Sequence, residues 1–146
     1  MEELRSDLEW MCRFVEVLYR VDERGRLLAV RESPGADRPA PRFLLGRTRH
    51  GNVWRFRSDL DRDTVRELAR LAGREPPLAA AASGPPERLE PMRRVLGAAG
   101  PIQSERCSVV LRARDGNFYS GSRDDPATDA SRRMGLVDVG ELWQLC

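Results

Sequence analysis

The spacing of apolar residues changes along the chain, and each spacing predicts a different element. From Leu4 to Tyr19 apolar residues recur every three or four positions, which predicts a helix with one buried stripe. Two short apolar runs then flank Asp22 to Gly25, a cluster of turn-forming residues, and predict a hairpin. A proline-rich loop is expected from Ser33 to Pro41, because proline nitrogens cannot donate hydrogen bonds to a sheet.

The clearest hairpin pattern follows this loop. The segments RFLLGRT and NVWRFR flank a turn from Arg49 to Asn52, which contains residue types that tolerate a tight connection. In the second strand Arg55 and Arg57 alternate with Trp54 and Phe56, so that one face is cationic and the other aromatic. We expect a solvated face and a core face, with a ligand-binding surface as the alternative.

Two amphipathic helices are predicted next. The first begins at Ser58 or Asp61, either of which can cap it, and ends near Ala72. The second runs from Glu87 to about Ala98, with its apolar residues on one side. A linker rich in alanine and proline separates them.

The last third of the chain predicts strand, turn, strand, helix and strand. The turn contains Asp115 and Gly116, a standard hairpin pair. The short helix, with Asp124, Asp125 or Thr128 as its cap, is followed by a final strand, LVDVGELWQLC, whose glycine is suited to a bulge. The sequence therefore predicts an α+β fold with a mixed, mostly antiparallel sheet and three to four helices.

Composition narrows the function classes. All 25 basic residues are arginine, so the chain offers no lysine for a Schiff base or a P-loop. The net charge is only +2, and acidic and basic residues are interleaved, which disfavours a nucleic-acid-binding face. No apolar run approaches the roughly 20 residues that span a bilayer, and the acidic N-terminus does not have the pattern of a secretory leader. We expect a cytoplasmic protein without nucleic-acid or membrane partners.

Metal and nucleophile chemistry are also disfavoured. His50 is the only histidine, and the three cysteines are widely separated with no CxxC motif. Zinc sites and Ser/His or Cys/His pairs need an imidazole beside a second ligand or a nucleophile. We therefore expect no metal.

The arginines of the predicted hairpin suggest a site for a substrate or another anion. Arg55 and Arg57 share one face of a strand, where two guanidinium groups can hold a carboxylate or a phosphate through paired hydrogen bonds. Salt bridges to Asp59 or Asp61 explain the same side chains more simply. Both interpretations stay open at this point.

Two stretches of the chain resemble opposite ends of one enzyme type. RFLLGRTRHGNVWRFRSDL, from Arg42 to Leu60, resembles the front portion of a group of bacterial GNAT-superfamily proteins, in which RFLLGRT, GNVWRFR and DL stand nearly as here. The tail from Asn117 to Cys146 resembles the last strand, helix and strand of a GNAT domain. In that family Y-S-x-S is followed by a turn containing Asn and by a helix that ends in R-(R/K)-(L/M)-G-L.

The GNAT resemblance implies an N-acetyltransferase with a mixed α/β fold. In this superfamily acetyl-CoA lies between two splayed central strands, and an amine attacks the thioester directly. The resemblance places Ser120, Ser122 and Asp125 at the cofactor, and Asp125 stands where the family has Asn. It assigns no catalytic residue, because the tyrosine that the family often uses in the late helix has no counterpart here.

The diphosphate-binding motif of the family, R/Q-x-x-G-x-G/A, follows a strand and opens a helix, so that backbone N–H groups meet the phosphates. The only formal match in this chain, Arg94 to Ala99, falls at the end of a predicted helix. A helix end presents carbonyl oxygens and a partial negative charge. We therefore interpret this match as accidental.

The cofactor-binding middle of the family has no counterpart between Pro101 and Cys107. We expect a truncated, partly GNAT-like protein in which residues 1–101 are an N-terminal α+β region and residues 102–146 are a remnant of the C-terminal end, in one compact unit. If it is active, it transfers acetyl groups from acetyl-CoA to a small-molecule or peptide amine.

The alternative is a noncatalytic binding or homodimerisation module. Loss of the cofactor segment would leave the strands around Cys107 to Gly121 and Leu136 to Leu145 as exposed edges of the sheet. Such edges carry unpaired backbone groups that pair with another chain. A homodimer is therefore the expected partner in this case.

Overall fold

The computed structural model describes residues 6–31, 39–78 and 84–146, and these contain four helices and seven strands. In chain order they are α1 (Asp7–Leu18), β1 (Tyr19–Val21), β2 (Leu27–Val30), β3 (Phe43–Thr48), β4 (Gly51–Phe56), α2 (Arg62–Arg74), α3 (Leu89–Ala99), β5 (Glu105–Arg112), β6 (Phe118–Gly121), α4 (Pro126–Arg133) and β7 (Val137–Leu145). The predicted α+β class is confirmed. Most of the predicted proline-rich loop and residues 79–83 of the linker lie outside the described residues.

Five strands form one antiparallel sheet in the order β4-β3-β7-β5-β6. β1 and β2 pair separately as a two-stranded antiparallel sheet. The three predicted hairpins are confirmed, since β1 pairs with β2, β3 with β4 and β5 with β6. None of the helices in the described part of the chain is long and apolar enough to cross a membrane.

The last strand, β7, lies at the centre of the sheet between β3 and β5. The expectation that the strands around Cys107 to Gly121 and Leu136 to Leu145 are edges is therefore wrong for β5 and β7, and the edges are β4 and β6. The position of β7 joins the front and the end of the chain in one sheet. A homodimer stays a prediction, and one that extends this sheet would have to use β4 or β6.

Helices cover both faces of the five-stranded sheet. On one face a cluster of buried side chains joins Met11 and Phe14 of α1 to Leu44, Val110 and Leu142 of the sheet. On the other face a second cluster joins α2 and α3 to the sheet through Phe43, Leu45, Leu68, Met92, Leu96 and Leu145. Because both faces are covered, all six residues of β3 are buried. Charged residues in the central strands therefore lie where they need partners.

Two predicted helix ends are confirmed by their capping bonds. Asp61 caps α2, and its Oδ2 accepts a hydrogen bond from the backbone N–H of Thr64 at 3.0 Å. Asp125 caps α4, and its Oδ1 accepts from the backbone N–H of Ala127 at 2.9 Å. Gly135 follows α4 with a φ of +97°, the left-handed conformation that glycine adopts without strain.

Gly140 allows β7 to pair closely with β3. The pairing of β7 with β5 is irregular at this point, because Val110 pairs with Gly140 whereas Leu111 pairs with Asp138. A Cβ atom at Gly140 would lie only 2.0 Å from the backbone oxygen of Arg47. The expectation of a bulge at this glycine is confirmed, and no larger residue fits the approach.

We expect Gly140→Ala to lower the free energy of unfolding by about 3 kcal/mol or more, because the added methyl group meets a backbone atom that cannot move away. Urea denaturation measures the effect. Gly97→Ala is the matched control, since Gly97 lies inside α3 with open space around it. This control should be stabilised by roughly 0.5–1 kcal/mol. Equal stability of the two variants would contradict the role of Gly140.

Candidate functional site

A cleft of about 490 Å³ opens beside β7, where residues of α4 and of the β3–β4 turn approach the sheet. We call it the Glu141 cleft, and its lining includes Arg49, Val109, Arg123, Arg132, Val137, Asp138, Val139 and Glu141. Its volume lies within the roughly 300–1,000 Å³ of small-molecule sites. The cleft is therefore large enough for a small polar ligand.

Glu141 is a charged residue in the central strand and is only 4% exposed. Its Oε1 lies 3.0 Å from Nη2 of Arg123, which comes from the segment between β6 and α4. Its Oε2 accepts a hydrogen bond from Sγ of Cys107 on β5 at 3.5 Å. Arg47, also buried, stands opposite Glu141 in the β3–β7 ladder, and its Nη1 donates to the backbone oxygen of Gly84 at 3.2 Å. The carboxylate thus has a cation and a thiol within reach, which offsets its burial.

The Cys107 thiol is kept protonated by its surroundings. Burial, followed by the charge of Glu141 and its hydrogen bond, raises the pKa of Cys107 to about 12. The nearby cations Arg123 and Arg47 act in the opposite direction on this pKa but do not cancel the rise. Because the thiolate is the reactive form of cysteine, Cys107 is not poised as a nucleophile at neutral pH.

The other arginines at the Glu141 cleft also hold carboxylates. Arg132 places Nε 3.0 Å from Oδ1 of Asp138 and Nη1 3.3 Å from Oδ1 of Asp129. Arg49 donates from Nε and Nη2 to Oδ2 of Asp7, at 3.2 and 3.0 Å. The cleft therefore presents guanidinium–carboxylate pairs and not a patch of bare positive charge. Within the described residues, no group of three or more His, Cys, Asp or Glu is placed to hold a metal ion.

The three residues expected at a cofactor lie on β6, in the loop after it and at the cap of α4. Ser120 is exposed on β6 and lines a separate groove of about 420 Å³. The backbone oxygen of Ser122 accepts a hydrogen bond from Oγ1 of Thr128 at 2.8 Å. The carboxylate of Asp125 is turned toward the first N–H groups of α4 as its cap. A negative side chain in this position repels a diphosphate from the helix start, so their role at a cofactor stays a prediction.

The segment that formally matches the diphosphate motif, Arg94 to Ala99, forms the last turns of α3. Arg42 donates to backbone oxygens at this helix end: Nη1 to that of Leu96 at 3.3 Å, and Nη2 to those of Gly100 and Pro101 at 3.0 Å each. All four strand pairs of the five-stranded sheet are antiparallel. The end of α3 presents carbonyl oxygens, and the start of α4 is occupied by the Asp125 carboxylate. Neither helix end therefore fits the diphosphate of acetyl-CoA.

The arginines expected at an anion have different partners. Arg57 donates from Nε and Nη2 to the two carboxylate oxygens of Asp59, at 2.7 and 3.1 Å, and this hydrogen bonding lowers the pKa of Asp59. For Arg57 this salt bridge matches the simpler of the two interpretations, a surface ion pair instead of an anion-binding site. Arg55 instead donates from Nη1 to the backbone oxygen of Trp54 at 2.8 Å. Whether either residue binds a substrate stays a prediction.

The Glu141 cleft cannot be predicted from the sequence. The segment VDVGELW reads as an ordinary strand, and its acidic residue looks like one more solvated charge. Arg123 and Cys107 come from other elements, and only the strand order brings them to Glu141. The one available signal is an acidic residue between apolar neighbours in a predicted strand, which is too common to identify a site.

A scan against protein-family models, a search of curated proteins and a search of solved structures each found no match to this chain. The resemblance of two segments to GNAT proteins therefore stays a prediction. The chemistry of the site has to be argued from its own side chains.

We expect Glu141→Gln to lower the pKa of Cys107, because it removes a negative charge that raises this pKa. Alkylation of Cys107 by iodoacetamide at about pH 9 should then become faster, by about tenfold for each unit of pKa. Peptide mass spectrometry can follow each cysteine separately. Cys12 serves as the internal control, since its pKa is raised mainly by its own burial on α1. An unchanged alkylation rate at Cys107 would contradict the coupling.

Proposed function

We propose that the protein binds a small molecule that carries both an amine and a carboxylate, and that this ligand occupies the Glu141 cleft. The ion pair between Arg123 and Glu141 is the observation that supports the proposal. The carboxylate is buried, whereas the Arg123 side chain is 46% exposed and can turn toward the cleft. A zwitterionic ligand can replace this ion pair with two new ones, because its ammonium group pairs with Glu141 and its carboxylate pairs with Arg123.

The pair favours such a ligand over one with a single charge. An amine alone would place its ammonium group beside the displaced Arg123, so two cations would face each other. A carboxylate alone would draw Arg123 away and leave Glu141 as a buried charge with a weakened partner, which is costly. Only a ligand with both groups keeps every charge paired.

The apolar lining of the cleft supports the same class of ligand. The exposed side chain of Val137 supplies aliphatic surface beside the charged residues, and the buried Val109 also borders the cleft. A short hydrocarbon segment between the amine and the carboxylate would contact these side chains and leave water. An amino acid or a related aliphatic amino carboxylate therefore matches the cleft in charge, polarity and size.

Isothermal titration calorimetry with glycine, β-alanine and longer ω-amino carboxylates tests the proposal, with methylamine and acetate as ligands of single charge. We expect at least one amino carboxylate to bind, and Arg123→Ala and Glu141→Gln each to weaken it by about tenfold or more. Arg70→Ala is the control, since Arg70 pairs with Glu67 on the surface of α2.

Two results would contradict the proposed ligand class. One is binding of methylamine or acetate as tightly as any amino carboxylate. The other is unchanged affinity in Glu141→Gln, provided that circular dichroism shows this variant to be folded. Either result would remove the exchange of partners from which the ligand class is inferred.

Acetyl transfer by a GNAT-like protein is the second candidate function. Residues Asn117 to Cys146 supply a strand, a helix and a strand, the order implied by the resemblance. The antiparallel sheet and the two helix ends described above argue against a bound diphosphate. This candidate therefore stands second.

Incubation with acetyl-CoA and a panel of amines, followed by mass spectrometry of the products, tests acetyl transfer. If the second candidate is correct, acetylated amine accumulates in proportion to the amount of protein. We expect no product and no thermal shift at millimolar acetyl-CoA. That outcome would exclude acetyl transfer and would leave ligand binding in the Glu141 cleft unaffected.

A further inference from the structure

A second, shallower groove of about 300 Å³ lies where the β1–β2 turn packs beside β4. We call it the β4 groove, and its lining residues are Arg24, Gly25, Arg26, Trp54, Arg55 and Phe56. Three of these residues are arginines and none is acidic. Unlike the Glu141 cleft, the β4 groove is therefore lined by arginines without carboxylates among its lining residues.

The turn that carries two of these arginines is held by its own hydrogen bonds. Oδ1 of Asp22 accepts from the backbone N–H of Arg24 at 2.8 Å and from that of Arg26 at 2.9 Å. Gly25 lies between them with a φ of +77°, which favours glycine. The carboxylate of Asp22 is thus used to shape the turn, and it fixes the backbone from which Arg24 and Arg26 extend.

Two of the guanidinium groups are also held in place. The Arg26 guanidinium lies 5.5 Å from the centre of the Phe56 ring, a cation–π contact. Nη1 of Arg55 donates to the backbone oxygen of Trp54 at 2.8 Å. Contacts of this kind leave several N–H groups of each guanidinium free to donate. They also reduce the entropy that ligand binding would cost.

None of the three arginines makes an ion pair within residues 6–31, 39–78 and 84–146. The neighbouring Arg57, by contrast, is paired with Asp59. A salt bridge at the surface therefore accounts for Arg57, but no such pair accounts for the three arginines of the β4 groove. Of the two acidic residues in the turn, Asp22 already accepts two backbone hydrogen bonds, and Glu23 is exposed and makes no ion pair among the described residues.

We propose that the β4 groove binds the phosphate group of a small ligand. Three guanidinium groups match the roughly −1.5 to −2 charge of a phosphate monoester at neutral pH better than the single charge of a carboxylate. Arginine donates pairs of N–H groups whose geometry fits phosphate oxygens. The site shares no lining residue with the Glu141 cleft, so it does not depend on the function proposed for that cleft.

Isothermal titration calorimetry with inorganic phosphate tests the proposal. Low ionic strength is used because salt screens contacts between arginine and phosphate. We expect Arg26→Gln/Arg55→Gln to weaken phosphate binding by about tenfold or more. The matched control is Arg62→Gln/Arg66→Gln, which removes the same charge from exposed positions on α2. If the double variant in the groove is destabilised, Arg24→Gln replaces it, since that side chain is exposed.

The outcomes distinguish the possible explanations. Loss of binding in the groove variant but not in the α2 control would support the site. Equal losses in both variants, equal affinity for acetate, or no binding of phosphate at about 10 mM would overturn it. Co-sedimentation with phosphatidic acid vesicles, reduced by the same groove variant, would support the phosphate site and assign it to a lipid headgroup instead of a soluble ligand.

Discussion

The pairing of β7 with both β3 and β5 is the interaction on which the rest of the structure depends. Those two neighbours come from opposite halves of the chain, and the sheet is continuous only because the last strand lies between them. The pairing requires Gly140, since any side chain at this position would collide with the backbone of Arg47. A single close approach between two backbones thus joins the strands from the two halves of the chain in one sheet.

The same arrangement explains how a charge comes to be buried at the centre of the fold. Glu141 follows Gly140 in β7, opposite Arg47 on β3 and Val109 on β5, and Cys107 lies one diagonal position along β5, close enough to donate to its carboxylate. Arg123 then reaches its carboxylate from the segment between β6 and α4. Fold and candidate site are therefore not separate features, because the ladder that holds the sheet together also assembles the charged cluster.

Two kinds of arginine environment can be distinguished on this molecule. At the Glu141 cleft the guanidinium groups are paired with carboxylates, so recognition there has to proceed by exchange of partners. At the β4 groove they are positioned by backbone and aromatic contacts but have no acidic partner among the described residues. Arginine content alone says nothing about this difference, which depends on what each side chain touches.

The sequence predicts well whatever depends on neighbouring residues. The apolar stripe of α1, the Asp61 cap and the hairpin at Asp115 and Gly116 are all local, and all are found in the structure. The strand order is harder to predict, because the pairing of β3 with β7 joins residues about a hundred positions apart. For that reason the central place of β7 could not be predicted, and neither could the cluster around Glu141.

The late position of β7 in the chain has a consequence during protein synthesis. A ribosome makes this strand after every other strand of the sheet, so the facing sides of β3 and β5 stay without their partner until the residues up to Leu145 have emerged. Unpaired strand sides of this kind adhere to other nascent chains. The sheet can close only after β7 has emerged, and until then the unpaired sides of β3 and β5 favour aggregation.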